Sequence, residues 1–189
     1  MIRQQGPCFS GSAQKGVGHH MQKELVVTFV GDDRPGIVQE MSQRVTARDG
    51  NWLESQMTRL AGKFAGVARV SVDETVFAGL VEDMQSIPGI SVLLEAPTDA
   101  AEDFQALSFV LNIIGPDRPG ILSEVSGALL AKGVNVVELE TRVGPAPMTG
   151  DQTFFAEASI LVPATVSMAL LQDQLNEVAD ALALDIRVD

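Results

Sequence analysis

Gly31-Asp-Asp-Arg-Pro-Gly36 and Gly115-Pro-Asp-Arg-Pro-Gly120 are two versions of one turn, and the fold follows from what surrounds them. Each comes after an apolar run of strand character and before a stretch with helical spacing. Each is therefore a strand-to-helix elbow, with backbone N–H groups left without intrahelical acceptors where the helix starts. A small anion would sit there.

The echo runs well beyond the turn. Residues 26–54 laid over 110–138, without a gap, are identical at 12 of 29 positions, including Asp33/Asp117, Arg34/Arg118, Asn51/Asn135 and Glu54/Glu138. Further on, the offset grows from 84 to 90, with Phe64–Val70 over Phe154–Ile160. The chain is a duplicated module, and its second copy carries a six-residue insertion.

Before the first elbow Leu25, Val27 and Phe29 are apolar at period two, as are Phe109, Leu111 and Ile113 before the second. This is the signature of a strand with one face on a core. After the elbows, Ile37, Met41 and Val45, matched by Ile121, Val125 and Leu129, fall on one helical face. The first helix is expected to end near Asp49-Gly50 and its counterpart near Lys132-Gly133, with glycine taking the left-handed C-terminal position.

Second strands are expected over 52–60 and 136–143, with Leu53, Ser55 and Met57 on one face and Glu54 and Gln56 on a polar one. In the second copy Val137, Leu139 and Thr141 oppose Glu138 and Glu140 in the same way. Ala61-Gly62-Lys63 reads as a tight hairpin, and 144–151 as a longer connection. Third strands follow at 64–72 and 153–162. Second amphipathic helices are marked by Phe77, Leu80, Met84 and Ile87, and by Met168, Leu171, Leu175 and Val178. Fourth strands are expected over 90–95 and 182–188.

Each module thus reads strand-helix-strand-strand-helix-strand. That is an α+β class: two tandem ferredoxin-like βαββαβ modules, each an antiparallel four-stranded sheet with helices on one face. The expected division is a tail over 1–23, modules over 24–96 and 105–189, and a polar linker over 97–104.

Composition narrows the function. With 189 residues and 46% apolar content, each copy can bury a core. The apolar runs are short and regularly broken, which predicts no transmembrane helix and no membrane partner. The net charge is −12, and residues 1–23 carry three cations and no acid, so the remaining chain stands near −15. Such a field repels a phosphate backbone and argues against direct nucleic-acid binding.

Cys8, the sole cysteine, lies in the tail and gives no internal disulfide or cysteine metal site. His19 and His20 are there too, in a stretch that reads as a disordered leader or expression scar, the other reading being an organelle-targeting leader. A reducing, cytoplasmic location is expected, or an organelle if the leader is native. No catalytic triad, metal-ligand cluster or phosphate loop is visible, so no cofactor and no enzymatic activity are expected.

The Asp33-Arg-Pro-Gly36 elbow with Asn51, and the Asp117-Arg-Pro-Gly120 elbow with Asn135, resemble ACT domains, small amino-acid-sensing modules. A tandem pair with no other domain, together with Pro145–Gly150 and Phe154, resembles the glycine cleavage system transcriptional repressor family. The resemblance implies a regulatory protein that senses glycine or a similar small amino acid and acts through a protein partner, a transcription factor or an enzyme. It further implies modules set side by side in a homodimer, with ligand where an elbow faces a neighbour. Two alternatives are a regulatory subunit of an amino-acid metabolic enzyme and an interaction scaffold that binds no ligand.

The chemistry suits such a ligand. Pro35 and Pro119 preset the turn, and Gly36 and Gly120 leave room above it. Free amides at Ile37 and Ile121, with the helix dipole, would take an α-carboxylate. Asn51 or Asn135, close by, would orient the ligand, and Asp33 or Asp117 would meet its ammonium. A plainer reading has the aspartates capping the helices and Arg34 and Arg118 as solvent-facing charges with local pairs. Trp52 is expected in core or interface packing, and Glu54 and Glu138 as solvated carboxylates.

Overall fold

A computed structural model describes residues 21–98, 106–146 and 150–189. Cys8, His19, His20, most of the expected linker and part of the 144–151 connection lie outside the described residues. The chain divides into two compact units, at residues 99 and 100.

The first unit runs β1 (Gln22–Asp32), α1 (Ile37–Thr46), β2 (Asn51–Leu60), β3 (Lys63–Asp73), α2 (Phe77–Gln85) and β4 (Ile90–Glu95). The second runs β5 (Ala106–Pro116), α3 (Ile121–Leu130), β6 (Asn135–Pro145), β7 (Gln152–Pro163), α4 (Met168–Leu182) and β8 (Asp185–Val188). Strand order is β2-β3-β1-β4 in one sheet and β6-β7-β5-β8 in the other, with every pairing antiparallel. These are the two ferredoxin-like modules that the repeat predicts.

Each module has its own core. In the first, Leu25, Val27 and Phe29 of β1 meet Ile37, Met41 and Val45 of α1 and Leu80 and Met84 of α2. In the second, Leu111 and Ile113 pack with Ile121, Val125, Leu129, Leu171 and Leu175. The period-two strand faces and the i, i+4, i+8 helix faces are the buried ones in both copies.

The structure departs from the sequence reading in three places. First, β2 and β6 carry a bulge. Trp52 faces Val70 and Glu54 faces Arg69, so Leu53 is the extra residue, and Val137 is extra in the same way between Val136 and Glu138. One added residue reverses the alternation upstream of it. Trp52 therefore packs with Met57 against the core, while Leu53 is exposed.

Second, the left-handed residue after α1 is Asp49, φ 54°, the repeat partner of Gly133 at φ 68°. Gly50 serves another purpose: a Cβ there would lie 2.5 Å from Val72 Cγ1 and 2.9 Å from Val45 Cγ1. Third, the last strand starts at Asp185, because α4 runs through Leu182 and stops at Ala183 in the left-handed region. The outer sheet faces also carry apolar side chains. Val30, Val67 and Leu93 are exposed in the first module, and Val110 and Ile114 in the second.

A guanidinium clamp joins the helices of the first module. Arg48 Nε donates to Asp83 Oδ2 at 2.8 Å and Arg44 Nε to the Asp83 carbonyl at 2.9 Å. The hydrogen bond from Arg48, more than its charge, holds the Asp83 carboxyl below the usual aspartate range. Arg34 acts in the same way on Glu40. A carboxylate whose folded pKa is depressed adds stability above its unfolded pKa and loses it as pH falls through the folded value. Thermal stability should therefore fall as the pH drops from the ordinary carboxylate range through the depressed folded values, modestly, because the pairs are exposed. Asp83→Asn should flatten that dependence, which a pH series of melting curves measures.

Candidate functional site

Both elbows are built alike at the backbone. Gly36 (φ 91°, ψ 0°) and Gly120 (φ 98°, ψ −12°) occupy the N-cap positions in a left-handed conformation that side chains rarely adopt. A Cβ at either would meet nothing within 4 Å, so the space above the glycine is open. The Gly36 carbonyl accepts from Glu40 N–H at 2.8 Å and the Gly120 carbonyl from Glu124 N–H at 3.0 Å, which closes the first turns. Neither helix start has a side-chain cap. Capping by Asp33 or Asp117 is therefore not the arrangement found.

The first-turn amides, at Ile37, Val38 and Gln39 and at Ile121, Leu122 and Ser123, have no acceptor within their own helices. Ile37 and Ile121, each 2% exposed, root these turns in the cores. The elbows are pinned from the other side by the strand hairpins. Asp33 N–H donates to the Gly62 carbonyl at 2.9 Å, and Asp117 N–H to the Gln152 carbonyl at 3.0 Å. Pro35 and Pro119 lie in the exposed turn between pin and helix.

The side chains differ between copies. Asp33 is paired with Arg59, Nε to Oδ2 at 2.6 Å. Arg34 is paired with Glu40 at 2.6 Å, and Lys63 with Asp32. Arg34 thus has the local pairing expected of it. Arg118 instead reaches back to α4, donating from Nη2 to the Ala181 carbonyl at 3.2 Å. Its Nε is hidden from solvent and finds no acceptor among the described residues. Arg59, Glu40 and Ala181 were not among the sequence candidates. The Arg59/Val143 difference in the repeat alignment was the available signal for the first of them.

Asn51 and Asn135 do not sit beside their own elbows. Asn51 faces Ser71, which faces Glu24 near the start of β1, whereas the elbow leaves from Asp32 at its end. Eight strand residues separate the two levels, or about 26 Å at the rise of a strand. Asn135 is displaced from Asp117 in the same way, by the register through Leu161 and Ser108. The repeat alignment carries residue identity but not distance, and α1 and α3 return the chain to the far edge of the sheet before each asparagine.

A groove of about 390 Å³ on the outer face of the first sheet is lined by Val26, Glu54, Ser55, Gln56, Val67 and Arg69. Its Arg69 already lies between Glu24 at 3.2 Å and Glu54 at 2.9 Å, so Glu54 is an ion-pair partner and not merely solvated. Among the described residues no group of His, Cys, Asp and Glu side chains is placed to hold a metal ion. No described helix is long and apolar enough to cross a membrane.

Comparison with known proteins places these features in a family. Residues 23–88 and residues 109–172 each match an ACT domain model. No curated protein matches the chain. Among solved structures, a protein of unknown function from Galdieria sulphuraria is similar over 89% of this chain and 98% of its own, with 28% identity and a TM-score of 0.80. A provisionally assigned glycine cleavage system transcriptional repressor is similar over 89% of this chain and 97% of its own, with 18% identity and a TM-score of 0.62. The duplicated elbow, the two βαββαβ sheets and both family matches agree: the chain belongs to the ACT family and carries two ACT domains in tandem.

Proposed function

We propose that this protein is a non-catalytic regulatory sensor of a small amino acid, glycine or one of similar size, that acts through a protein partner. The observation that carries the proposal is the uncapped helix start behind a left-handed glycine, open where a Cβ would stand. There the first-turn amides and the positive end of the helix dipole suit an α-carboxylate. The adjacent aspartate suits an ammonium about one residue away, so a zwitterion matches the site better than a simple anion. The space above the glycine is open, since an added Cβ meets nothing within 4 Å.

The acidic charge of the chain favours a protein partner over nucleic acid. The glycine cleavage assignment of one structural neighbour is compatible with this reading. In a homodimer, the asparagine of a second copy would complete an elbow that its own module leaves without one. Ligand that binds one assembly better than another then shifts the population of the two, which is how a sensor without chemistry transmits a signal.

Thermal unfolding against the twenty amino acids tests the proposal. A small amino acid at one hundred times its Kd should raise stability by about 2.7 kcal/mol. No shift with any of them would sink the sensor and leave an interaction scaffold.

A further inference from the structure

The two elbows share a backbone but not an electrostatic state, and this difference assigns the ligand to one of them. Resting on the proposed sensor function, we infer that the amino acid binds at the second elbow only, one per chain, and that Arg59 is the residue that closes the first.

The sheet register makes the comparison direct. Arg59 of β2 faces Phe64, and Val143 of β6 faces Phe154, so the two occupy the same place beside their elbows. In the first module the Arg59 guanidinium holds the Asp33 carboxylate at 2.6 Å. A ligand ammonium arriving there meets a carboxylate already neutralised and a cation that repels it. Lys63, paired with Asp32 on the same hairpin, adds a second cation. In the second module Val143 stands at the Arg59 position, Thr153 at the Lys63 position and Pro116 at the Asp32 position. Among the described residues no cation is paired with Asp117.

The arginines of the two turns differ as well. Arg34 is committed to Glu40, whereas Arg118 carries an Nε–H that is shielded from solvent and lacks an acceptor among the described residues. The second elbow therefore keeps its aspartate open to an ammonium beside an uncapped helix start, and the first offers pairs that are already closed.

Exchange of the two residues tests the assignment by titration calorimetry with glycine and serine. Wild type should bind one ligand per chain. Val143→Arg should lower affinity at least tenfold, and so should Asp117→Asn, which keeps the side-chain shape and guards against a failure of the arginine variant to fold. Arg59→Val should raise the stoichiometry from one to two. Two ligands per wild-type chain, or affinity unmoved by both Val143→Arg and Asp117→Asn, would overturn the inference while leaving the sensor intact. An absence of binding by every folded variant and by wild type would overturn the sensor, and the assignment with it.

Discussion

Leu171→Ala is expected to destabilise the second module strongly while the first keeps its stability. Leu171 is 0% exposed and belongs to the core cluster formed by α3, α4 and the second sheet. Removal of a buried leucine side chain forfeits its transfer free energy and leaves a cavity, together about 2–5 kcal/mol. That is a large fraction of the stability of a domain of this size. The first module has a core of its own, so the loss should not spread through side-chain packing.

The chain supplies a reporter for this. Trp52, its only tryptophan, packs against the first core. In urea, Leu171→Ala should move part of the far-ultraviolet circular dichroism transition to lower denaturant and leave the Trp52 fluorescence transition in place. Met84→Ala, in the first core and equally buried, should do the reverse. Superimposed transitions by both probes in both variants would mean that the modules unfold as one unit.

Gly120→Ala is the second large effect, and it is conformational. Nothing lies within 4 Å of the added Cβ, so the variant meets no clash, yet the residue must hold φ near +98°. An L side chain in that region costs about 1–2 kcal/mol. The module should remain folded with a slightly lower melting temperature. If α3 relieves the strain by shifting its N-cap, the first-turn amides rotate away from the elbow and affinity for the amino acid should fall tenfold or more. Gly36→Ala should cost similar stability with little loss of affinity. A valine at either position would add β-branched strain to the same backbone and confuse folding with binding.

Much of this architecture is legible in the sequence because its signals are local and doubled. The period-two strands, the i, i+4 helix faces and the Arg-Pro-Gly turns each occur twice, and every agreement between copies strengthens the reading of both. What escaped it has physical causes. The bulges at Leu53 and Val137 depend on strand pairing, and nothing in an alternating run announces an extra residue. The left-handed position after α1 falls on Asp49, where the neighbouring Gly50 is retained for packing against Val45 and Val72.

The candidate site was legible to a lesser degree. The elbow residues Asp33, Arg34, Pro35, Gly36 and Ile37, and Asp117, Arg118, Pro119, Gly120 and Ile121, are contiguous in sequence and come together in the structure. Asn51 and Asn135 belong to the same repeat signature but stand a strand length away, because shared signature does not imply shared location. Arg59 went unnoticed because its importance lies in a hairpin that folds it onto Asp33 from 26 residues further on.

The central claim is that backbone amides at the second helix start hold the carboxylate of an amino acid. Amide resonances observed during a titration with glycine or serine address it most directly. The account predicts saturable shifts concentrated at Gly120, Ile121, Leu122 and Ser123, with the matching amides at Gly36 to Gln39 far less affected. Shifts confined to the first elbow, or to the outer sheet groove around Arg69, would contradict it, as would unchanged spectra at saturating concentrations of every amino acid.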